Sequence, residues 1–237
     1  MSLWTRISEA LAALARGEPL SAVFDLLRGA VSPERSVGFT IAVIALGAKM
    51  AKADGSVSRE EVTAFRRIFS VPEGEEAHAA RVFNLAREDV AGFDAYARKI
   101  AKLFNPEGRA LCADDHHILV DLLEALFQVA LADGSYHPGE DEFLRHVAGI
   151  FGLDEPCFRA VRARLVEGAP RDPWDVLGIA RDADLSEARA AWKSLVRDTH
   201  PDVMAARGVP PEAVHLAERR LIAINAAWKE LSEAKAA

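Results

Sequence analysis

Cysteine and long apolar stretches are both scarce in this sequence, and each scarcity excludes a class of protein. The two cysteines, Cys112 and Cys157, match no disulfide or metal-ligand spacing, and their apolar neighbours predict buried, reduced thiols. The longest uncharged run in the first third of the chain, residues 37–48, falls far short of the roughly 20 residues of a membrane-spanning helix. The N-terminus also lacks the features of a secretory signal. We therefore expect a soluble cytoplasmic protein without a transmembrane segment.

Positive charge is in deficit as well. The 29 Lys and Arg residues are outnumbered by 36 Asp and Glu residues, which gives a formal net charge of −7. Phosphate-rich partners select basic surfaces, so we do not expect nucleic acid as a partner. The chain has no glycine-rich phosphate loop, no nucleophile elbow and no His-Glu-x-x-His run. These absences predict that the protein is not an enzyme.

The sequence is rich, by contrast, in helical periodicity. Apolar residues recur every three or four positions along most of the chain, while strand-like alternation is nearly absent. This pattern predicts an all-α protein. The predicted helices cover roughly residues 3–16, 19–29, 34–52, 58–70, 75–87, 92–104, 112–131, 138–151 and 156–166.

The domain organisation follows from a change in composition near residue 170. Residues 167–171 are polar and rich in helix breakers, which predicts a linker between two domains. We therefore expect an N-terminal helical extension, a larger helical domain, the linker and a separate small domain. Their predicted bounds are residues 1–30, 31–166, 167–171 and 172–237.

An internal repeat lies within the larger predicted domain. The segment AKADGSVSREE (51–61) aligns with ALADGSYHPGE (130–140) at a constant offset of 79 residues. Recurrence at a fixed offset predicts two helix-turn-helix units related by pseudo-symmetry. Paired helix-Asp-Gly-helix units of this kind, in an all-helical domain, resemble the TerB-like fold of tellurite-resistance proteins. The resemblance implies an all-α bundle whose acidic residues have been suggested to bind a divalent metal.

The candidate metal ligands are the acidic residues at matching positions of the two repeats. They are Asp54 and Glu61 in the first copy and Asp133 and Glu140 in the second. Carboxylate oxygens from paired loops suit Ca²⁺ or Mg²⁺, although neither loop has the frame of an EF-hand. Ordinary turn chemistry is the alternative: Gly in a left-handed conformation ends one helix, and an acidic residue in the next first turn favours the helix dipole. We expect no other cofactor.

Two apolar stripes mark the C-terminal region as a helical hairpin. The first runs from Leu185 to Thr199 and the second from Ala217 to Leu231, each at helical spacing. Two such stripes, joined by turn residues, bury each other. Pro201 disfavours α geometry at the preceding residue, so the first of these helices should end at His200. His200 and Asp202 are then presented on a turn and are not used by the core.

Three segments of this region resemble the J domain of DnaJ co-chaperones: DPWDVLGI, SLVRDTHPD and INAAWKEL. The segment GVPPE after the His-Pro-Asp triplet is similar to the DjlA subgroup, in which a TerB-like region precedes a C-terminal J domain. The resemblance implies that the chain binds a DnaK-like Hsp70, whose ATP hydrolysis it stimulates so that a client protein is trapped. DjlA proteins are usually anchored by an N-terminal membrane span, and none is evident in this sequence.

The resemblance also implies an Hsp70-binding set. His200, Pro201 and Asp202 match the family triplet, in which Asp engages an Arg of the Hsp70 while His and Pro shape the turn. The second helix of a J domain offers a basic face, which Arg189, Lys193 and Arg197 would form here. Residues 185–200 carry only three basic against two acidic side chains, and Val203 stands where the family usually has Lys. We therefore expect weaker, more salt-sensitive binding. The alternative is a TerB-like stress-response or metal-binding scaffold with a weak or inactive J domain.

Overall fold

The computed structural model describes residues 32–53, 93–111, 118–166, 172–210 and 216–234, and these segments are helices joined by turns. No strand forms within them, although Leu111 and Leu153 make an isolated bridge. The all-α prediction is therefore confirmed. The helices predicted at 3–16, 19–29, 58–70 and 75–87 lie outside the described residues.

Five helices precede residue 167 in the described segments. They are α1 (Ser32–Ala53), α2 (Phe93–Phe104), α3 (Ile118–Ala130), α4 (Pro138–Phe151) and α5 (Glu155–Leu165), with a short 3₁₀ turn, Leu131–Asp133, after α3. Four of them agree with the predicted bounds to within two residues. The predicted start of α3 falls in residues 112–117, outside the described part of the chain.

Capping residues explain where α4 and α5 begin and end. Before α4, the Glu140 carboxylate accepts a hydrogen bond from the backbone N–H of His137 at 2.8 Å. Asp154 starts α5 by accepting from the N–H of Cys157 at 2.8 Å, which satisfies a free amide of the first turn. Gly152 ends α4 at φ 81°, a conformation that L side chains rarely adopt.

The centre of this bundle is α3, which is buried on every side. Twelve of its 13 residues are buried, including Asp121 and Glu124. The apolar run at 37–48 belongs to α1, which packs against α3 with Phe39, Ile41 and Ile44 fully buried. A helix that is apolar all round is suited to a protein core. No helix in the described segments combines the length and apolar character needed to cross a bilayer.

Four helices lie in the described residues of the C-terminal unit, 172–210 and 216–234: α6 (Pro173–Leu177), α7 (Leu185–Asp198), α8 (Pro201–Arg207) and α9 (Leu216–Ala234). The predicted stripes on α7 and α9 meet: Trp192 stacks on Trp228 with ring centroids 5.4 Å apart. Ala188, Leu195 and Ile224 are buried between these helices. Val176 and Leu177 of α6 join the same core.

The helix α8 was not predicted. The sequence analysis expects only turn residues between the two stripes, yet a seven-residue helix occupies part of this span. Pro201 stands at its first position, where a missing N–H costs nothing, and Gly208 ends it at φ 103°. The same proline that stops α7 therefore starts α8.

The two units pack directly against each other. Met204 of α8, Val209 and Ala217 of α9 belong to the core of the N-terminal bundle. Ala163 of α5 belongs in turn to the core of the C-terminal unit. The predicted domain bounds stay a prediction, but the small unit is docked on the bundle rather than held by the linker alone.

Candidate functional site

The chain reversal between α7 and α8 is defined by its two central residues. Thr199 is fully buried, and its hydroxyl donates to the Leu195 carbonyl at 2.6 Å. His200 then adopts an extended conformation, φ −63° and ψ 135°, because the following proline disfavours α geometry. We call His200, Pro201 and Asp202 the His-Pro-Asp turn. Its position at the end of α7 agrees with the sequence prediction to within two residues.

The His-Pro-Asp turn presents two polar groups to solvent. The His200 side chain is 61% exposed and the Asp202 side chain 92% exposed. His200 Nδ1 accepts a hydrogen bond from the Asp202 backbone N–H at 3.2 Å, so His200 caps α8. The Asp202 carboxylate lies 3.7 Å from the same His200 nitrogen and is otherwise open to solvent. The turn therefore offers an imidazole and a carboxylate side by side to a partner.

The basic stripe, Arg189, Lys193 and Arg197, is exposed along α7. Both acidic side chains of this helix are engaged locally. Glu187 accepts from the Asp184 N–H at 2.8 Å, and Asp198 accepts from the Ser194 hydroxyl at 3.1 Å. Within the described segments neither Arg189 nor Lys193 forms an ion pair, so the stripe keeps its positive charge beside the His-Pro-Asp turn.

The candidate metal ligands are only partly visible. Asp54 and Glu61 lie outside the described residues, and Asp133 is the last residue of the 3₁₀ turn. Glu140 is buried and serves as a cap of α4, and Gly134 has φ 84°. In the second repeat copy, these features fit turn chemistry rather than a metal-ligand set. Among the residues that can be described, no three His, Cys, Asp or Glu side chains are grouped to hold a metal. The metal site stays a prediction.

The cysteine prediction is confirmed for Cys157, which is a buried, reduced thiol in the first turn of α5. Cys112 lies outside the described residues.

A buried group of charges lies between the two units and was not predicted from the sequence; we call it the ionic cluster. It joins Asp121 and Glu124 of α3 to three arginines that follow later in the chain. Arg220 Nη2 lies 2.6 Å from an oxygen of each carboxylate. Arg207 Nε donates to Asp121 at 3.0 Å, and Arg164 Nη1 lies 3.6 Å from Glu124. The sequence signal was available, since two acidic residues interrupt the otherwise apolar ILVDLLEALF.

In the ionic cluster, burial and pairing with carboxylates shift the pKa of an arginine in opposite directions. Burial lowers the pKa of Arg164, which is closed off from water on all sides. Burial also acts to lower the pKa of Arg220, but the carboxylates of Glu124 and Asp121 outweigh it and raise that pKa. A buried charge is tolerated only when it is paired, and each of the three guanidinium groups lies against at least one carboxylate of α3.

Comparison with known proteins agrees with this architecture. The family described as "Tellurite resistance protein TerB" matches residues 40–163, which is more than half of the chain. The chain belongs to the TerB family. The match spans α2 to α4 and most of α1 and α5, and so contains both carboxylates of the ionic cluster.

Similarity to individual curated proteins extends beyond residues 40–163. "Co-chaperone protein DjlA" of Photobacterium profundum is 29% identical over 231 residues, covering 86% of this chain and 80% of the relative. The protein of that name from Aliivibrio fischeri is 25% identical over 240 residues, covering 87% and 82%. The Escherichia coli protein is 25% identical over 150 residues, about half of each chain. No solved structure matches. The chain is thus DjlA-like over most of its length.

Proposed function

We propose that this protein is a J-domain co-chaperone that binds a DnaK-like Hsp70 and stimulates its ATP hydrolysis. The observation that carries the proposal is the exposed His-Pro-Asp turn, placed at the end of a helix with an exposed basic stripe. The similarity to DjlA co-chaperones over most of the chain supports the same function. The bond cleavage takes place in the partner, and this chain contributes binding.

Each residue of the His-Pro-Asp turn has a distinct part in this proposal. Asp202 is the group that contacts the partner, because its carboxylate is almost fully exposed and can accept from a guanidinium. A charge-assisted hydrogen bond of that kind is worth roughly 1.5–3 kcal/mol, enough to change an affinity or rate tenfold or more. His200 orients Asp202 by accepting its backbone N–H, and Pro201 fixes the backbone between them.

The basic stripe supplies longer-range attraction to an acidic surface of the Hsp70. Exposed charges of this kind act mainly on the rate of encounter and are screened by salt. The acidic residues on α7 and Val203 after the turn reduce that attraction. We therefore expect half-maximal stimulation at a higher co-chaperone concentration than for a strongly basic J domain, with a steep dependence on salt.

A scaffold function is the second candidate, and the weak basic charge near the turn is what favours it. In that case the TerB-like bundle would hold the activity, with or without a divalent metal, and the J domain would be weak or inactive. In our main proposal the bundle instead acts as the targeting or interaction module that decides where, or on which client protein, the J domain works.

A single-turnover ATPase assay with a DnaK-like Hsp70 distinguishes the two candidates. We expect stimulation by the wild-type chain and none by His200→Gln. The matched control is His146→Gln, the same change at an exposed histidine of α4, which should stimulate like the wild type. Absence of stimulation by the wild-type chain would contradict the proposal and favour the scaffold.

A further inference from the structure

Arg207 connects the end of α7 to the N-terminal bundle. Its Nη2 donates to the Asp198 carbonyl at 3.0 Å and lies 3.3 Å from an oxygen of Asp121. The last carbonyls of a helix have no partner within the helix, so this bond satisfies one of them. The Arg207 Nε donates to the other Asp121 oxygen at 3.0 Å. One guanidinium therefore bridges the helix end beside the His-Pro-Asp turn and a carboxylate of α3.

Asp121 is a rigid anchor for this bridge. The residue is 1% exposed and lies in α3, where twelve of 13 residues are buried. Its Oδ1 also receives Arg220 Nη2 at 2.6 Å, so both of its oxygens are held by arginines. Because Arg207 ends α8 and Arg220 lies in α9, a single carboxylate fixes both helices that follow the turn.

The short helix α8 faces the bundle on one side and solvent on the other. Met204 is fully buried in the bundle core and Arg207 reaches Asp121, whereas Pro201 and Asp202 are exposed. The amide of Met204 donates to the His200 carbonyl at 3.0 Å, which joins the docked side to the exposed side. Any shift of α8 on the bundle would therefore move the groups that face a partner.

From these contacts we infer that Asp121 and Arg207 are positioning residues, through which the TerB-like bundle holds the His-Pro-Asp turn in its binding-competent arrangement. Neither residue contacts the partner. The inference deepens the proposed function and rests on it for the ATPase readout, but the ordering of the turn can be measured without any partner.

Loss of a positioning residue has a signature that differs from loss of a contact residue. If the turn has its binding-competent arrangement in only a fraction of the molecules, the apparent affinity for the Hsp70 falls by that fraction. The ATPase rate at saturating co-chaperone is unchanged. Asp121→Asn should therefore raise the half-maximal co-chaperone concentration about fivefold or more and leave the maximal ATPase rate unchanged. Asp202→Asn, which removes the exposed carboxylate proposed to contact the partner, should by contrast abolish the maximal stimulation.

The first measurement is amide hydrogen exchange in the full chain without a partner. We expect the hydrogen-bonded amides of His200, Val203 and Met204 to exchange about tenfold faster in Asp121→Asn than in the wild type. The matched control is Asp141→Asn, which removes a half-buried carboxylate paired with Arg145 and Arg162 away from the C-terminal unit. This control should not change exchange at the turn.

Substitutions at Arg207 test the same ion pair through its other member. They also keep the inference testable if Asp121→Asn does not fold. Arg207→Gln removes a more accessible member of the cluster, so it should stay folded even if Asp121→Asn does not. Arg207→Lys keeps the charge but lacks the fork that reaches Asp121 and the Asp198 carbonyl together, and it should give an intermediate effect.

Three results would overturn the inference. Exchange at the turn could be unchanged in folded Asp121→Asn and Arg207→Gln, or it could rise equally throughout the bundle, which would indicate general destabilisation. In the ATPase assay, a fall in maximal rate without a change in half-maximal concentration would also contradict it. If the wild type does not stimulate any Hsp70, the proposed function fails, while the exchange measurement still decides whether Asp121 positions the turn.

Discussion

The helix α3 carries two charged residues and α7 carries five, and the two helices use them in opposite ways. In α3 the charges, Asp121 and Glu124, are buried and meet arginines from α5, α8 and α9. In α7 the basic stripe is exposed, and its acidic residues only cap or brace the helix. Buried charges must find a fixed partner within the chain, whereas exposed ones can take a partner from outside.

This difference separates contacts made within the chain from groups left open to solvent. The ionic cluster joins the C-terminal unit to the bundle, whereas the His-Pro-Asp turn and the basic stripe are exposed. Arg207 belongs to the ionic cluster, but its guanidinium also donates to the Asp198 carbonyl at the end of α7, beside the His-Pro-Asp turn. Substituting one buried charge and one exposed charge, each beside a matched control, tests this difference.

The largest effect on stability is expected at Glu124, whose side chain is fully buried. Glu124→Gln keeps the size of the side chain but leaves Arg164 and Arg220 without their shared counter-charge. Breaking a buried ion pair on one side costs about 3–5 kcal/mol, and we expect the free energy of unfolding to fall by that amount. Chemical denaturation followed by circular dichroism measures it.

The control for Glu124→Gln is Glu155→Gln, the same change at an exposed carboxylate that pairs with Arg145. An exposed pair contributes at most about 1 kcal/mol. Equal losses in the two variants would mean that the ionic cluster does not hold the units together.

Much of the fold could be predicted from sequence because helical periodicity is a local signal. The bounds of α4 follow directly from His137-Pro138 at its start and Gly152 at its end, and Pro201 marks the end of α7 in the same way. The exposed location of the His-Pro-Asp turn also follows, since these polar residues interrupt two apolar stripes.

The ionic cluster could not be predicted in the same way, because its partners lie far apart in the chain. Arg207 and Asp121 are separated by 86 residues, and Arg220 and Asp121 by 99. Local pattern shows that Asp121 and Glu124 are unusual in an apolar helix, but it cannot select their partners among 29 basic residues. The helix α8 was missed for a related reason, since a single turn of apolar residues carries too little periodicity.

An intermediate effect is expected at Glu140, which belongs to the second repeat. Because its carboxylate caps α4, Glu140→Gln should lower the free energy of unfolding by roughly 1 kcal/mol.

Calorimetry of the full chain with Ca²⁺ or Mg²⁺ is the second measurement, and we expect no binding heat. A heat of binding that Glu140→Gln abolishes would instead support the metal site at Asp54, Glu61, Asp133 and Glu140.

The smallest effect on stability, and the clearest effect on binding, is expected at the centre of the basic stripe. Lys193 is exposed, so Lys193→Gln should change the free energy of unfolding by less than about 0.5 kcal/mol. The half-maximal co-chaperone concentration in the ATPase assay should rise, and its dependence on salt should become shallower, because one charge no longer takes part in the attraction. Lys229→Gln on α9 is the control: it removes another exposed lysine from the same unit, one whose partner Glu233 lies on its own helix. If both variants weaken stimulation equally, only the net charge of the unit matters and the stripe has no specific role. If Lys193→Gln alone does so, the exposed face of α7 is the surface that meets the Hsp70, since both variants leave the ionic cluster intact.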